Sequence, residues 1–375
     1  MKKRKSFFEA IAILVGTIMG AGVLGIPYAV AKAGFVTGLV LMILLGLGVL
    51  IINLAVGEFV LRTKGNHQLT GYAEKYLGKK GKLVMTLTMI VGLYGALVAY
   101  LIGSGEALSA IFNGNPFFHS LVFFAAVSLI IYFGVRAVGH SELFFVFIFL
   151  TILLLISIFS FSSIDMSNLK GFNFYNSGLI YGVVLFALGG AISIPEMKEE
   201  LVKNKKSLKK AIIIGTLIPI VFYPLFAFVV VGVTGGNTTE ISTVGLGNVV
   251  GQYVVMFGNL FAVFVMATSF LTLGLGLKEM YNYDYKINKK LAWLLTIIVP
   301  LGLFLLGIRS FINTLGFTGA IAGGIEGILF ILIFWKARKY GDRKPEYSVP
   351  LNKVISGLLI MVFSLGIIYA LSSLF

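Results

Sequence analysis

Two short stretches rich in glycine, each ending in a proline, interrupt otherwise apolar runs of the sequence. They extend from Gly20 to Pro27 and from Gly189 to Pro195. Relative to alanine, a glycine disfavours a helix by about 1 kcal/mol and an interior proline by about 3 kcal/mol, so each stretch predicts a broken helix. Backbone N–H groups freed at a break attract a carboxylate, and freed carbonyl oxygens accept from an ammonium or bind a small cation. A zwitterionic ligand fits both sets of groups.

The two breaks also correspond to each other in position. When Gly22 is aligned with Gly190, Ile26-Pro27 falls on Ile194-Pro195. Paired breaks in two halves of a chain indicate a binding site near the membrane midplane of a secondary transporter. The alternative interpretation is a packing seam, because the glycines of the first stretch would also allow helices to approach closely.

The composition indicates that these stretches lie in membrane helices. Of the 375 residues, 58% are hydrophobic and 12% are charged, whereas a soluble domain carries roughly twice that share of charge. The chain has no cysteine, which excludes a thiolate nucleophile and a disulfide scaffold, and its three histidines supply a metal centre poorly. The formal charge of +15 sits in short blocks between apolar runs, so membrane topology explains it better than nucleic-acid binding.

Apolar runs separated by charged or turn-rich breaks predict eleven membrane segments. They are 7–31, 35–61, 83–112, 117–135, 142–161, 176–197, 208–233, 247–278, 291–307, 310–335 and 351–374. If the N-terminus lies inside, all but three of the 30 basic residues fall on the inner face, the exceptions being Lys32, Lys170 and Arg309. The positive-inside rule therefore predicts a multi-pass protein of the plasma (cytoplasmic) membrane with the N-terminus inside and the C-terminus outside.

The spacing of the two breaks predicts the internal organisation of this single transmembrane domain, residues 1–375. Five segments separate them, an odd number, so the second unit must enter the membrane from the opposite side. The chain is then all-α, an inverted repeat of five plus five helices, with repeat one at about 7–161 and repeat two at about 176–335. Segment 351–374 is an additional C-terminal helix.

The inner end of the second segment carries two further patterns. Glu58 lies one helical turn before Arg62, which predicts an i,i+4 ion pair. The following loop, 63–82, has apolar residues at helical spacing and predicts a short interfacial helix. The alternative for this loop is a solvated basic segment that anchors the helix ends.

Four motifs resemble the amino acid/auxin permease family of the amino acid–polyamine–organocation superfamily, which includes bacterial tyrosine and tryptophan permeases. They are GAGVLGIPYA from Gly20, YGALVAY from Tyr94, IPEM from Ile194, and ATSFL from Ala267 with GLGLKE from Gly274. The resemblance runs through all ten core segments. It implies a LeuT-type fold and amino acid uptake driven by an ion gradient, with no cofactor.

The resemblance also implies which residues meet the substrate. In such folds the amino acid carboxylate and amine meet the two breaks. The matching positions here are Gly20, Ala21, Gly22 and Val23 in the first break, and Gly189, Gly190 and Ala191 in the second.

Aromatic residues near these breaks are further candidates. Tyr94 and Tyr100 belong to the third segment but lie about 240° apart around a helix, so we expect only one of them to line the site. Phe186, one turn before the second break, is expected to gate or contact the substrate. An ordinary core position is the alternative for Phe186.

A sodium site of this fold would use carbonyl oxygens of the first segment and hydroxyls of the eighth. The matching groups are the carbonyls of Gly16, Met19 and Val265 and the hydroxyls of Thr268 and Ser269. Buried hydroxyls also bond back to their own helix, which is the alternative for this pair. The sodium-coupled animal relatives have an asparagine where this chain has Gly16, and the fifth segment has no lysine that could act as a fixed charge.

Glu326 offers a second coupling mechanism. It lies deep in the tenth segment, between glycines and with no basic residue within one turn. Ionisable groups at such depth are costly to keep charged and are by default functional, so Glu326 could load and release a proton. The coupling ion is therefore H+ or Na+, with protons favoured by the missing asparagine and the isolated carboxylate.

The predicted function is cation-coupled symport of neutral amino acids by alternating access, with aromatic or large amino acids among the candidates. A neutral side chain is favoured because no acid or base falls within the breaks. A non-transporting nutrient sensor or a channel is the alternative. A membrane-embedded enzyme is disfavoured, because the segments contain no HExxH-type metal motif and no Gly-x-Ser-x-Gly elbow.

Overall fold

The computed structural model describes residues 2–133, 142–173, 176–283 and 285–372. Arg136, one of the basic residues predicted to lie on the inner face, and the C-terminal Phe375 lie outside these residues. The regular elements of the described residues are helices. They are α1 (Lys2–Ile18), α2 (Gly22–Ala33), α3 (Phe35–Arg62), α4 (Leu69–Phe112), α5 (Pro116–Phe133), α6 (Glu142–Ser160), α7 (Ser177–Ala187), α8 (Ile194–Glu200), α9 (Leu208–Thr234), α10 (Ser242–Val250), α11 (Gln252–Tyr283), α12 (Lys289–Leu305), α13 (Phe311–Thr318), α14 (Gly324–Tyr340) and α15 (Lys353–Ser372).

The all-α membrane architecture is confirmed, whereas the count of eleven spans stays a prediction. Within the described ranges nine helices are long and apolar enough to cross a membrane, or up to ten if the bent pair α1–α2 is one span. The remaining predicted segment is α12, which has 17 residues and so lies at the short end of the lengths that span a bilayer.

The first predicted break is present, but the proline does not form it. Helices α1 and α2 are separated by residues 19–21 and bent by 53°. Pro27 lies inside α2. A proline has no backbone N–H, so the Val23 carbonyl loses its helical hydrogen bond, but the helix continues. The glycines therefore mark this break better than the proline does.

The second predicted break lies between α7 and α8. Helix α7 ends at Ala187, the next three residues are not helical, and a 3₁₀ turn at Ala191–Ser193 leads into α8. Pro195 stands in the first turn of α8, where an N–H has no intrahelical partner and a proline is therefore tolerated.

Glycine contacts place α13 and the turn that follows it against α7, which ends at the second break. A β-carbon on Gly182 of α7 would overlap the Gly316 carbonyl, and one on Gly319 would lie 2.6 Å from the Phe186 nitrogen. The backbones of α7 and α13 therefore touch directly. A π-helical turn, Gly319–Gly323, joins α13 to α14 beside this contact, and such turns are frequent at functional sites.

The predicted interfacial helix is the first part of α4. It extends from Leu69 to a kink at Gly78, whose φ of +76° suits glycine. Its apolar face is buried in the protein and not in the interface, since Leu69 and Tyr72 are fully buried and the Tyr72 ring packs on Phe59. The segment therefore caps the end of α3.

The predicted Glu58–Arg62 ion pair is confirmed and is part of a larger network. Glu58 is 0% exposed and accepts from the Arg62 Nε at 2.9 Å, the Arg338 Nε at 3.1 Å and the Val349 N–H. Arg338 also donates to the Val349 carbonyl at 2.6 Å. One buried carboxylate thus ties the ends of α3 and α14 to the segment that leads into α15.

We expect Glu58→Gln to destabilise the protein by about 3–5 kcal/mol, because two arginines would lose their buried counter-charge. The measurement is thermal or denaturant unfolding of the purified protein in detergent. Glu74→Gln is the control, because its ion pair with Lys82 at 2.8 Å is exposed and such pairs contribute about 0–1 kcal/mol. Equal losses in the two variants would contradict the assignment of Glu58 as the centre of the network.

Candidate functional site

Both helix breaks open onto one cavity of about 410 Å³. This volume lies in the range of small-molecule sites. Helices α3, α4, α6, α11, α14 and α15 contribute the remaining lining. The glycines of both breaks thus present backbone to the same space.

The first break presents two of its four predicted residues to this cavity. Gly20 and Gly22 line it, whereas Ala21 and Val23 are fully buried and do not. The structure therefore places Ala21 and Val23 behind the cavity wall, and their contact with the substrate stays a prediction. Successive residues point in directions about 100° apart as α2 begins, so its first turn cannot present all its members to one cavity.

All three predicted residues of the second break, Gly189, Gly190 and Ala191, line the cavity. The Gly190 carbonyl accepts from the Ser193 hydroxyl at 2.9 Å and from the Ser193 N–H at 3.1 Å. A β-carbon on Gly190 would overlap the Ile18 side chain of α1. The glycine is therefore also required for contact between the two breaks.

Tyr223 connects the two breaks and is absent from the sequence-predicted site. Its hydroxyl lies 2.9 Å from the Ile18 carbonyl, where α1 ends, and 3.1 Å from the Ala187 carbonyl, where α7 ends. The side chain is 2% exposed. The available signal was a polar group in the middle of an apolar helix, α9, between Pro219 and Pro224.

The structure separates the two candidate tyrosines as their spacing predicts. Tyr100 lines the cavity, and its ring meets the Phe186 ring edge-to-face with centroids 6.5 Å apart. Tyr94 does not line the cavity. Its hydroxyl bonds to the Tyr281 hydroxyl at 2.7 Å and donates to the Leu295 carbonyl at 3.0 Å, so it joins α4 to α11 and α12.

The five residues matched to a sodium site all line the same cavity, namely Gly16, Met19, Val265, Thr268 and Ser269. The Gly20 N–H bonds to the Ile18 carbonyl at 2.9 Å and so does not satisfy the Gly16 carbonyl four residues earlier. Carbonyl and hydroxyl oxygens are the ligands that a hard cation takes. The donor set therefore fits such an ion.

The Thr268 hydroxyl also bonds back to its own helix, which is the alternative given for it in the sequence analysis. Its hydroxyl donates to the Phe264 and Val265 carbonyls of its own helix, at 3.1 and 3.0 Å. Its oxygen keeps lone pairs that could bind a cation, since donation uses only the proton. The Ser269 hydroxyl lies 3.4 Å from the position of a β-carbon on Gly20, so it faces the first break.

Glu326 lines this cavity as well, and it is half-buried. It belongs to the first turn of α14, directly after the π-helical turn. Within the part of the chain that the structure describes, no hydrogen bond or ion pair involves its carboxylate. The cavity thus contains both an oxygen-rich group of ligands and an unpaired acid.

Comparison with known proteins gives relatives along the whole chain. Tyrosine-specific transport system 1 of Haemophilus influenzae is 27% identical, with 95% of this chain and 93% of the relative covered. Glutamine transporter 2 of Aliivibrio fischeri is 24% identical (87% and 86% covered), and the low affinity tryptophan permease of Escherichia coli is 23% identical (90% and 89% covered).

Two solved structures have the same fold. MhsT, solved in complex with L-phenylalanine, aligns with a TM-score of 0.62 at 15% identity and covers 99% of this chain and 98% of its own. The inward-facing conformation of Mhp1 aligns with a TM-score of 0.66 at 16% identity, with 97% and 88% covered. Both are LeuT-fold transporters, so the predicted LeuT-type fold is confirmed.

The predicted resemblance is confirmed by a family match that extends over residues 3–372. This family and this fold are those of integral membrane transporters and not of enzymes. The chain belongs to the tryptophan/tyrosine permease family.

Proposed function

We propose that this protein is a cation-coupled symporter that takes up neutral amino acids, including ones with aromatic or other large side chains, by alternating access. The observation that carries the proposal is the single cavity onto which both breaks open. Among its described lining residues, Glu326 is the one charged side chain, and once a proton neutralises it the lining favours a substrate with a neutral side chain. The names of the relatives, which are tyrosine, tryptophan and glutamine transporters, support the same substrate class.

The helix ends around the cavity have the polarity that an amino acid requires. Helices α2 and α8 begin at the breaks and direct their partly positive N-termini there, so they favour the substrate carboxylate. Helices α1 and α7 end at the breaks with partly negative carbonyls, which favour the ammonium group. Tyr100 and Phe186 supply aromatic surface for the substrate side chain.

The proposed transport cycle uses the two repeats predicted from the sequence. Repeat one, 7–161, and repeat two, 176–335, would rearrange around the cavity, with 351–374 as an additional helix. We place the protein in the plasma membrane with the N-terminus inside and the C-terminus outside, on the distribution of its basic residues.

Two coupling ions fit this cavity, and we favour the proton. The half-buried Glu326 has no counter-charge in the described part of the chain, so a proton is the simplest way to neutralise it. Sodium is the alternative, because the carbonyl and hydroxyl oxygens of Gly16, Thr268 and Ser269 line the same space. Both ions would act within one cavity that also holds the substrate.

Gly20→Val tests the substrate site. A β-carbon at Gly20 would lie 3.4 Å from the Ser269 hydroxyl and 3.8 Å from the Tyr100 hydroxyl, so valine would fit the fold but fill the cavity. We expect uptake of labelled tyrosine, tryptophan and glutamine into proteoliposomes to be lost. Gly276→Val is the control, because no atom lies within 4 Å of its β-carbon position. Normal uptake by a folded Gly20→Val protein would refute the proposed site.

Tyr223→Phe tests the connection between the breaks. It leaves two buried carbonyls without their shared donor, so we expect a loss of about 1–3 kcal/mol of stability together with weaker substrate binding. Substrate affinity and unfolding in detergent are the measurements. Tyr181→Phe is the matched control, because the Tyr181 hydroxyl is buried without a partner in the described residues and its removal should not destabilise. Unchanged affinity in Tyr223→Phe would contradict the positioning role.

Two sets of substitutions distinguish the coupling ions. If protons drive transport, Glu326→Gln should abolish accumulation driven by a pH gradient but preserve substrate exchange, because glutamine keeps the shape and cannot titrate. If sodium drives it, Thr268→Ala with Ser269→Ala should raise the sodium concentration for half-maximal uptake. Glu74→Gln, on an exposed ion pair, is the control. Sodium-dependent uptake that persists without a pH gradient and ignores Glu326→Gln would show that the proton assignment is wrong.

A further inference from the structure

A second cavity, of about 280 Å³, lies at the predicted inner face and is lined by basic side chains. Lys64, Lys198, Lys205 and Arg343 surround it together with the loop that follows α3. Lys64 and Arg343 lie in two separate loops, Lys198 belongs to α8, and Lys205 belongs to the 3₁₀ helix between α8 and α9. We refer to this cavity as the basic pocket.

Lys198 is the buried centre of the basic pocket. It belongs to α8 and is 5% exposed. Its ammonium donates to the Gly65 carbonyl at 2.6 Å and to the Thr63 carbonyl at 3.4 Å. An ammonium has three donors and a full charge, so two neutral acceptors leave one donor unused and the charge without an ion-pair partner in direct contact.

Three carboxylates lie near the basic pocket, and of these the exposed Glu199 acts on Lys198 only through its charge, without a hydrogen bond. Glu346 pairs with Arg343 at 2.7 Å. Asp342 pairs with the Lys75 ammonium and accepts from the Lys64 N–H at 2.8 Å, and these bonds hold the pKa of Asp342 below its usual range. Within the described residues, no carboxylate lies within ion-pair distance of the ammonium groups of Lys64, Lys198 or Lys205. The basic pocket therefore has excess positive charge.

We propose that the basic pocket binds a phosphate group. A phosphate offers several charged oxygens to donors that converge from different directions, and charge-assisted hydrogen bonds of this kind are the strong ones. The volume suits a phosphate-bearing headgroup better than a drug-sized ligand. Basic pockets at the inner ends of membrane helices bind the headgroups of anionic lipids, and a phosphate in solution presents the same chemistry.

Occupancy of the basic pocket would act on the second break. Lys198 follows the break on α8, whereas Lys64 belongs to the loop after α3 and Arg343 to the segment after α14. A phosphate that contacts all three would hold α8 against these segments. The bound anion would thereby stabilise the arrangement of α8 seen in this structure.

The test is a binding measurement on the purified full-length protein, so its outcome does not depend on the proposed transport activity. The midpoint of thermal unfolding in detergent is followed with added inorganic phosphate, with phosphatidylglycerol, and with phosphatidylcholine plus sodium chloride at matched ionic strength. We expect a concentration-dependent rise with inorganic phosphate, phosphatidylglycerol or both, and none with phosphatidylcholine, because its choline cation cancels the charge of its phosphate. A rise with the lipid alone identifies a headgroup, and a rise with inorganic phosphate identifies a soluble ligand.

Lys64→Gln with Lys205→Gln removes two cations of the basic pocket and keeps the buried Lys198. At about fivefold per lost charge, we expect binding about 25-fold weaker than in the unchanged protein. Lys206→Gln with Lys210→Gln is the matched control, because both are exposed, neither lines the pocket and the net charge changes equally. No rise in the unchanged protein, or equal weakening in the two double variants, would overturn the proposal.

Discussion

The fold depends on how the polar backbone groups at two helix breaks are satisfied within an apolar bundle. Each break removes N–H and carbonyl groups from a helix at a depth where water is scarce, and each unsatisfied group there is costly. Some of these backbone groups form hydrogen bonds within the breaks. The Gly20 N–H donates to the Ile18 carbonyl, and Ser193 donates to the Gly190 carbonyl. Tyr223 donates to carbonyl groups at both breaks, and in the proposed function the substrate bonds to further backbone groups there.

The two breaks pack directly against each other in this structure. A β-carbon on Gly22 would lie 2.9 Å from the Ala187 α-carbon, and one on Gly190 would overlap Ile18. Gly319 brings the π-helical turn against Phe186 in the same way. The two breaks are therefore in direct backbone contact, and the π-helical turn that leads to Glu326 packs beside them.

Local patterns in the sequence were sufficient for features that depend on neighbouring residues. Glycine content predicted both breaks, and helical spacing predicted the Glu58–Arg62 pair. Long-range partners were not predictable in this way. Nothing near Tyr223 indicates that its acceptors are Ile18 and Ala187, and the orientation of Ala21 and Val23 depends on where the helix resumes. The basic pocket is assembled from segments that are distant in sequence, which no single stretch can reveal.

The Tyr223 hydroxyl has one proton but two acceptors at nearly equal distance. Rotation about the bond between ring and oxygen can direct that proton to either carbonyl, so the two bonded states are close in energy. When one half-helix withdraws, the hydroxyl can turn its O–H towards the carbonyl of the other, so the phenol still donates a hydrogen bond. The Tyr223 hydroxyl can therefore change its acceptor, and the two half-helices can separate without leaving an unpaired donor in the interior.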